Sequence, residues 1–410
     1  MRLRILNTLL GLWTLLLGLT HTAPAQSFTV VDAPNASGTL ASSINGSGDV
    51  TGSCGDQSQS KGRGFVRDRN GNITVFDAPN ALYTQCNSIN DGGDVMGTFD
   101  DASQSNKLRS FVRDRTGNIT VLDAPNASLT AGFSINDLGD VTGYFWDASQ
   151  SNKGRGFVRD QNGNITAFDA PNASFTGSIS INDGGDVTGY FYDGSQSNNG
   201  RGFVRDLNGN ITVFDVRDQS RNITVFHAPN ASFTGSISIN DGEDVTGYLY
   251  GGSESNKVRG FVRDRNGDIT VFDAPNASYT AALGINAGGD VTGSFGDESQ
   301  SNKQRGFVRD RNGNITAFDA PNASSTAGSS INSGGDITGV LLDASQSNKE
   351  RGFVRDRNGN ITVFDAPNAS YTNPPSINAG GDVTGYFYDV SQNNKLRGFV
   401  RSAKVSSASE

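Results

Sequence analysis

Histidine is nearly missing from this chain of 410 residues, in which only His21 and His227 occur. The first sits in an N-terminal leader described below. A His-based zinc site is therefore excluded, and a Ser-His-Asp triad would hang on His227 alone. That residue stands where other copies of its motif carry Asp, as at Asp273, and reads as drift. Basic clusters are lacking too. With 33 Lys and Arg against 42 Asp and Glu the formal charge is −9, and an acidic chain without basic patches is a poor partner for nucleic acid or an anionic membrane. Apolar residues show no helical periodicity beyond residue 26. No second long apolar run follows the leader, so no membrane span is expected in the mature chain, and no cofactor is implied.

Residues 1–25 read as a secretory signal peptide. Arg2 and Arg4 form a basic head, and Ala23-Pro24-Ala25 matches the small-x-small cleavage pattern. The apolar segment between them, Leu9–Leu19, is short of the ~20 residues a membrane span needs. The expected location is secreted or periplasmic; an uncleaved anchor is the alternative. No Cys follows the cleavage position, which argues against a lipoprotein. Residues 402–410 are expected to be a disordered tail.

Past the leader the chain is a tandem repeat. The Phe of a Gly-Phe-Val-Arg element falls at Phe65, Phe111, Phe157, Phe203, Phe261, Phe307, Phe353 and Phe399, a spacing of 46 residues six times and 58 once. An Ile-Asn element recurs eight times from Asn45 to Asn378, and an Ala-Pro-Asn element recurs equally often. In the last full unit four apolar runs are separated by turn residues: Gly352–Arg355, Ile361–Phe364, Ser376–Asn378 with the residues before it, and Asp382–Tyr388. Runs of this length rich in Ile, Val, Phe and Thr are strands. Asn358-Gly359 between the first two predicts a type I′ hairpin, because both residues tolerate positive φ. Neighbouring side chains point to opposite faces of a strand, so contiguous apolar pairs such as Phe353-Val354 require both faces of each sheet to be covered. Four strands in 46 residues fit one blade of a β-propeller. The sequence thus predicts an all-β fold, an eight-bladed β-propeller of four-stranded blades spanning residues 26–401 as one domain, monomeric.

The two ends carry complementary pieces of one unit. Phe28–Val31 matches Ile361–Phe364 but has no Gly-Phe-Val-Arg before it, while Gly398–Arg401 has no such strand after it. Pairing Phe28–Val31 with the Phe399-Val400 strand would complete the last blade and close the ring, removing the open edges of a linear array. A β-solenoid is the alternative architecture. One irregularity accounts for the 58-residue spacing: residues 205–216 are followed by a near copy, 217–228. One copy is expected to bulge at the rim, which the slow growth of loop-closure cost tolerates.

The pattern INDGGDVTGYF followed by RGFVRDRNGNITVFDAPNAS resembles the bacterial extracellular repeats called the HAF family, over essentially all of residues 27–401. The family's His before Gly-Phe or Ala-Phe is Arg here (Arg63, Arg155, Arg351), and the Gly at Gly64 becomes Ser110 in one copy. The resemblance implies export and a propeller-like fold. It offers no catalytic residues to carry over.

Acids recur with the repeat, as Asp49, Asp94, Asp140, Asp186, Asp244, Asp290, Asp336 and Asp382. A glycosidase needs two carboxylates whose environments separate their pKa values, and eight equivalent positions oppose that. The chain is therefore expected not to be an enzyme but a repeat scaffold for binding or structural interaction at the cell exterior, with an unknown protein or glycan as partner. A carboxylate-based glycosidase is the weaker reading. The run Asp68-Arg69-Asn70-Gly71-Asn72 places oxygens like the start of a calcium loop, but Ile73 stands where Gly is wanted, and the run reads as a turn. Cys54 and Cys86 are expected at neighbouring strand ends on one side of the ring, either bridged, as an exported protein permits, or as two partly buried thiols. The informative deviations are aromatic. They are Tyr144 and Trp146, Tyr190 and Tyr192, Tyr248 and Tyr250, and Tyr386 and Tyr388, and the first of each pair stands where other copies have Ser53, Thr98, Ser294 or Val340. Either they fill gaps between blades, or they are the ring faces of a multivalent, lectin-like carbohydrate-binding propeller.

Overall fold

The computed structural model describes residues 27–56, 61–194, 199–214, 231–251 and 257–403. The leader, the second copy of the duplication with His227, and residues 404–410 lie outside them. Among the described residues the chain is all-β, with short 3-10 turns as its helical elements. No described helix is long and apolar enough to cross a membrane.

Each repeat folds as an antiparallel meander. In one unit the strands are Ala127–Ile135, Val141–Asp147, Lys153–Arg159 and Ile165–Phe168, paired in chain order. The Ile-Asn run expected as a short strand is the end of a nine-residue one, Ala127–Ile135. Its Ala and Ser content carries little β-propensity. The strand is held instead by its pairing with Val141–Asp147 across a bulge between Gly132 and Ser134. At the chain's ends, Phe28–Val31 lies antiparallel to Lys395–Arg401, with Val30 opposite Phe399.

The Asn-Gly turn differs from the type I′ expectation. Gly71 has a φ of 94°, but Asn70 is not in the left-handed region, and the Gly71 N–H donates to the Asp68 carbonyl. This is a type I turn followed by a left-handed Gly, the three-residue hairpin loop. Asp68 decides the choice. Its carboxylate accepts from the backbone N–H and the side-chain amide of Asn72, each at 2.8 Å. The alternating oxygens of this run are thereby committed to the turn itself.

The cores form between units rather than within them. Phe76 and Val66 of one unit pack with Ile89, Val95, Phe99 and Phe111 of the next. The Gly-Phe-Val phenylalanines Phe65, Phe111, Phe157, Phe203, Phe307, Phe353 and Phe399 are each 0% exposed. Edge contacts between rings tie successive units, as from Phe168 to Phe203 at 5.8 Å. The Gly before each such Phe is needed because a Cβ on Gly156 would lie 2.5 Å from the Phe168 ring. The exception explains itself. Ser110 faces Leu122 rather than Phe, and its hydroxyl donates to the Thr130 carbonyl and accepts from the Gly132 N–H.

The cysteines are not bridged. Cys54 and Cys86 are free and buried, and both lie inside strands, Val50–Asp56 and Ala81–Ile89, rather than at strand ends. Burial pushes the Cys54 thiol to about 11 and the Cys86 thiol to about 12.

One hydrogen bond recurs at every join. The side-chain amide of Asn45 donates to the Asn90 carbonyl at 2.9 Å, that of Asn90 to Asn136 at 3.0 Å, and so on through Asn182, Asn240, Asn286 and Asn332 to Asn378. Asn378 donates to the Asn45 carbonyl at 2.9 Å. Each side-chain oxygen accepts the N–H of the Asp four residues on, as Asn136 does from Asp140 at 2.8 Å. Replacing Asn136 with Leu orphans one buried acceptor and one donor, each worth about 1–3 kcal/mol. The expected loss of unfolding free energy is ~2–4 kcal/mol, read by chemical denaturation; an unchanged midpoint would remove this bond from the stability of the fold.

Candidate functional site

The aromatic pairs lie in the second strand of their units, near its acidic end. Tyr144 and Trp146 sit opposite Gly156 and Gly154 of the third strand, and Tyr190 and Tyr192 opposite Gly202 and Gly200. The missing side chains leave room for an aromatic from the next unit. Phe175 lies over Gly154, where a Cβ would meet its ring at 2.2 Å, and Phe233 lies over Gly200 at 2.3 Å. The rings form a continuous file. Phe133 stacks on Tyr144 at 5.6 Å, Tyr144 meets Phe175 edge-on at 5.3 Å, Phe175 contacts Tyr190 at 5.7 Å, Tyr190 contacts Phe233 at 5.8 Å, and Phe233 contacts Tyr248 at 6.1 Å.

Burial divides each pair by role. Tyr144, Tyr190, Tyr248 and Tyr386 are half-buried, within this file or against Tyr371. Trp146, Tyr192, Tyr250 and Tyr388 are 37, 36, 40 and 41% exposed. The inner ring of each pair is thus a filler between units and the outer ring is presented to solvent. Alternation along a strand would put both residues of a pair on the same side of the sheet, but only the structure tells which of them neighbouring rings cover.

Where aromatics do not cross a seam, other complementary pairs do. Gln304 accepts from the Ser325 hydroxyl at 2.7 Å. A Cβ on Gly38 would stand 3.3 Å from that of Leu396. The same place in the repeat holds Glu350, half-buried, and burial pushes its carboxyl above the ordinary value.

The charged residues of the same face are paired. Arg155 bridges Asp147 at 3.1 Å and Asp169 at 3.0 Å, and Lys153 reaches Asp169 at 3.2 Å. The Arg that stands where the resemblance wants His is thus a tie across three strands. The acids expected as one ring act as turn caps on the opposite face: Asp49 accepts the Arg69 N–H at 2.8 Å and Asp140 the Gln161 N–H at 2.8 Å.

A cavity of about 370 Å³ on that opposite face is lined by the Ile-Asn elements. Asp91, Asp137, Asp183 and Asp241 line one side of it, whereas Gly46, Ala287, Ser333 and Ala379 occupy the same position in the other units. Burial, with the neighbouring carboxylates of Asp183 and Asp91, pushes the Asp137 carboxyl above its ordinary value. Among the described residues no group of three or more His, Cys, Asp or Glu has the arrangement of a metal site.

No family model matches the chain, and no curated protein matches it in sequence. Solved structures match it in fold. The Dos1 propeller is 13% identical with a TM-score of 0.54, over 92% of this chain and 94% of that one. Streptogramin B lyase is 14% identical with a TM-score of 0.44, over 92% and 98%. A puromycin-hydrolysing peptidase of Mycobacterium tuberculosis is 10% identical with a TM-score of 0.47, over 87% of this chain and 60% of that one. The fold is β-propeller-like, and at these identities that is all the likeness carries.

The expectation that the chain is not an enzyme is withdrawn. The solved structures similar to it in fold include a lyase and a peptidase, and the fold alone shows neither activity nor its absence.

The second-strand acids give a pH prediction. The Ser149 hydroxyl, and after it Arg155, hold Asp147 below the ordinary 3.8; Asp297, Asp343 and Asp389 are held down by the same kinds of partner. A depressed folded pKa adds stability above the unfolded value that is lost as pH falls through the folded one. Ser149→Ala should lower the melting temperature at about pH 6, and the gap to the parent should close at about pH 2. A gap that persists in acid would mean the hydroxyl acts by packing.

Proposed function

We propose that this protein is an exported eight-bladed β-propeller, related to the HAF-type extracellular repeats, whose work at the cell exterior is recognition, and that its ligands are carbohydrates. The observation that carries the ligand class is the exposure of the outer ring in each aromatic pair. Trp146, Tyr192 and Tyr250 stand at equivalent positions of three successive units and are 37, 36 and 40% exposed. Rings that merely filled gaps between blades would be less exposed, as the half-buried Tyr144 and Tyr190 are. Stacked apolar faces flanked by neutral polar groups suit the faces and hydroxyls of sugar rings. The acidic balance of the chain disfavours polyanions.

Two observations support a ring of eight units. The Phe28–Val31 strand supplies the fourth strand of the last unit, and the run of Asn-to-Asn bonds returns to its own start. Val400 of the last unit also packs into the first unit's core with Val31 and Phe65. Export rests on the leader of residues 1–25.

Binding is tested on a glycan array with Trp146→Ala and Tyr144→Ala. The first should lose about tenfold or more in glycan affinity, ~1.4 kcal/mol, with unchanged melting. The second should lower stability by about 1–3 kcal/mol. No glycan signal from the parent protein would overturn the carbohydrate reading. Ring closure is tested by deleting residues 28–35. That deletion removes the strand beside Lys395–Arg401 and should lower the melting temperature markedly, whereas melting within error of the parent would count against a closed ring.

A further inference from the structure

Two seams on the face of the Ile-Asn turns hold the same kind of cavity, built from equivalent residues. The larger, about 510 Å³, lies between the unit of Phe261 and that of Phe307. Asp244, Asp264 and Asp268 line it from the first unit, and Arg309 and Arg311 from the second; the exposed Arg265 also borders it. The smaller, about 190 Å³, has Asp336, Asp356 and Asn360 on one side and Arg401 and Ala403 on the other. The larger cavity thus adds one acid to the first wall and one guanidinium to the second.

Asp268 is a departure from the repeat. At its place other units carry Asn, as Asn210, Asn314 and Asn360, whose side-chain amides donate to the hairpin Asp at 2.7, 2.7 and 2.8 Å. Asp268 has no amide to give. The only side-chain donor left to Asp264 is Asn266, at 3.4 Å, and two carboxylates share one turn. Across the seam Arg309 is 7% exposed. One of its terminal nitrogens donates to the Asp310 carbonyl at 3.3 Å, while its buried Nε has no partner. The Nε of Arg401, in the smaller cavity, is left in the same way. Among the described residues no salt bridge joins the two walls. On the opposite face of the same unit Arg305 is paired with both Asp297 and Asp319 at 2.9 Å. A buried charged group without full partners is costly.

We propose that the larger seam binds small zwitterions of the amino-acid and short-peptide class, with the ammonium group against Asp264 and Asp268 and the carboxylate against Arg309 and Arg311. A simple anion meets the guanidinium groups but also three acids. A simple cation meets the acids but also the guanidinium groups. A molecule that carries both charges satisfies the two walls together, and its carboxylate gives the buried Nε an acceptor through a charge-assisted bond. A neutral sugar offers hydrogen bonds but leaves both charges unbalanced. The volume falls in the range of small-molecule sites.

The test titrates the full mature chain by calorimetry with alanyl-alanine, with its N-acetyl derivative, which is only an anion, and with its C-terminal amide, which is only a cation. Alanyl-alanine should bind saturably, and each capped form about tenfold or more weakly. Asp268→Asn restores the residue of the other copies, so it should melt no lower than the parent yet lose about tenfold or more in dipeptide affinity. Arg311→Ala copies the residue found at Ala403 and should behave likewise. No saturable heat from alanyl-alanine, equal binding of either capped form, competition by glucose, or full affinity in Asp268→Asn would each overturn the site. Trp146→Ala should bind the dipeptide as the parent does, so a failure of the carbohydrate reading leaves this site standing.

Discussion

The Asn side chain at the end of each first strand does two things with one group. Its oxygen fastens the turn that follows, and its amide reaches the main chain of the next unit at 2.8–3.2 Å. Because the group is buried, neither bond can be exchanged for water without cost. A four-stranded unit whose apolar faces are buried only against its neighbours depends on them for stability. The Asn-to-Asn bonds fix how far one sheet stands from the next at one end, and the buried Phe of Gly-Phe-Val fixes it through the middle. Everything else in the structure is placed relative to that spacing.

The two faces of the molecule divide the work. On the face of the Ile-Asn turns, side chains repeat with small variation and are consumed by the backbone: Asp68 and its equivalents by their own turns, Asp49 and its equivalents by the next hairpin. On the other face, Arg–Asp ties such as Arg155 with Asp147 and Asp169 hold three strands together. Between those ties the sequence is free to vary, and that is where the aromatic residues and Glu350 appear.

Much of the architecture was legible in the sequence because its signals are local and repeated. The Ile361–Phe364 strand is found where the alternation and the Asn-Gly turn put it. The all-β class follows from periodicity alone. What was not legible depended on distance in space. Ala127–Ile135 is poor in β-formers and owes its length to a partner strand. The turn at Asn70-Gly71 is chosen by the Asp68 side chain reaching four residues ahead, which a dipeptide rule does not see. The cysteines lie in strands of neighbouring units, yet their spacing says nothing about whether the thiols face each other. The aromatic pairs were found as departures from the repeat, but their division into covered and open rings arises from Phe175 and Phe233, residues of other units.

Those seams hold one more consequence. A chain built of nearly identical modules invites each module to dock on the wrong neighbour. Here the contact residues are matched in twos: Gly154 under Phe175, Gly200 under Phe233, Gln304 with Ser325, Leu396 against Gly38. Shifting the assembly by one module would drive Leu108 toward the ring of Phe175 or Tyr83 and set Glu350 against Gly38 or Ser325. Side chains that look like neutral variation between copies thus act as addresses, so the order of the modules in space is written in their mismatches as well as in the covalent chain.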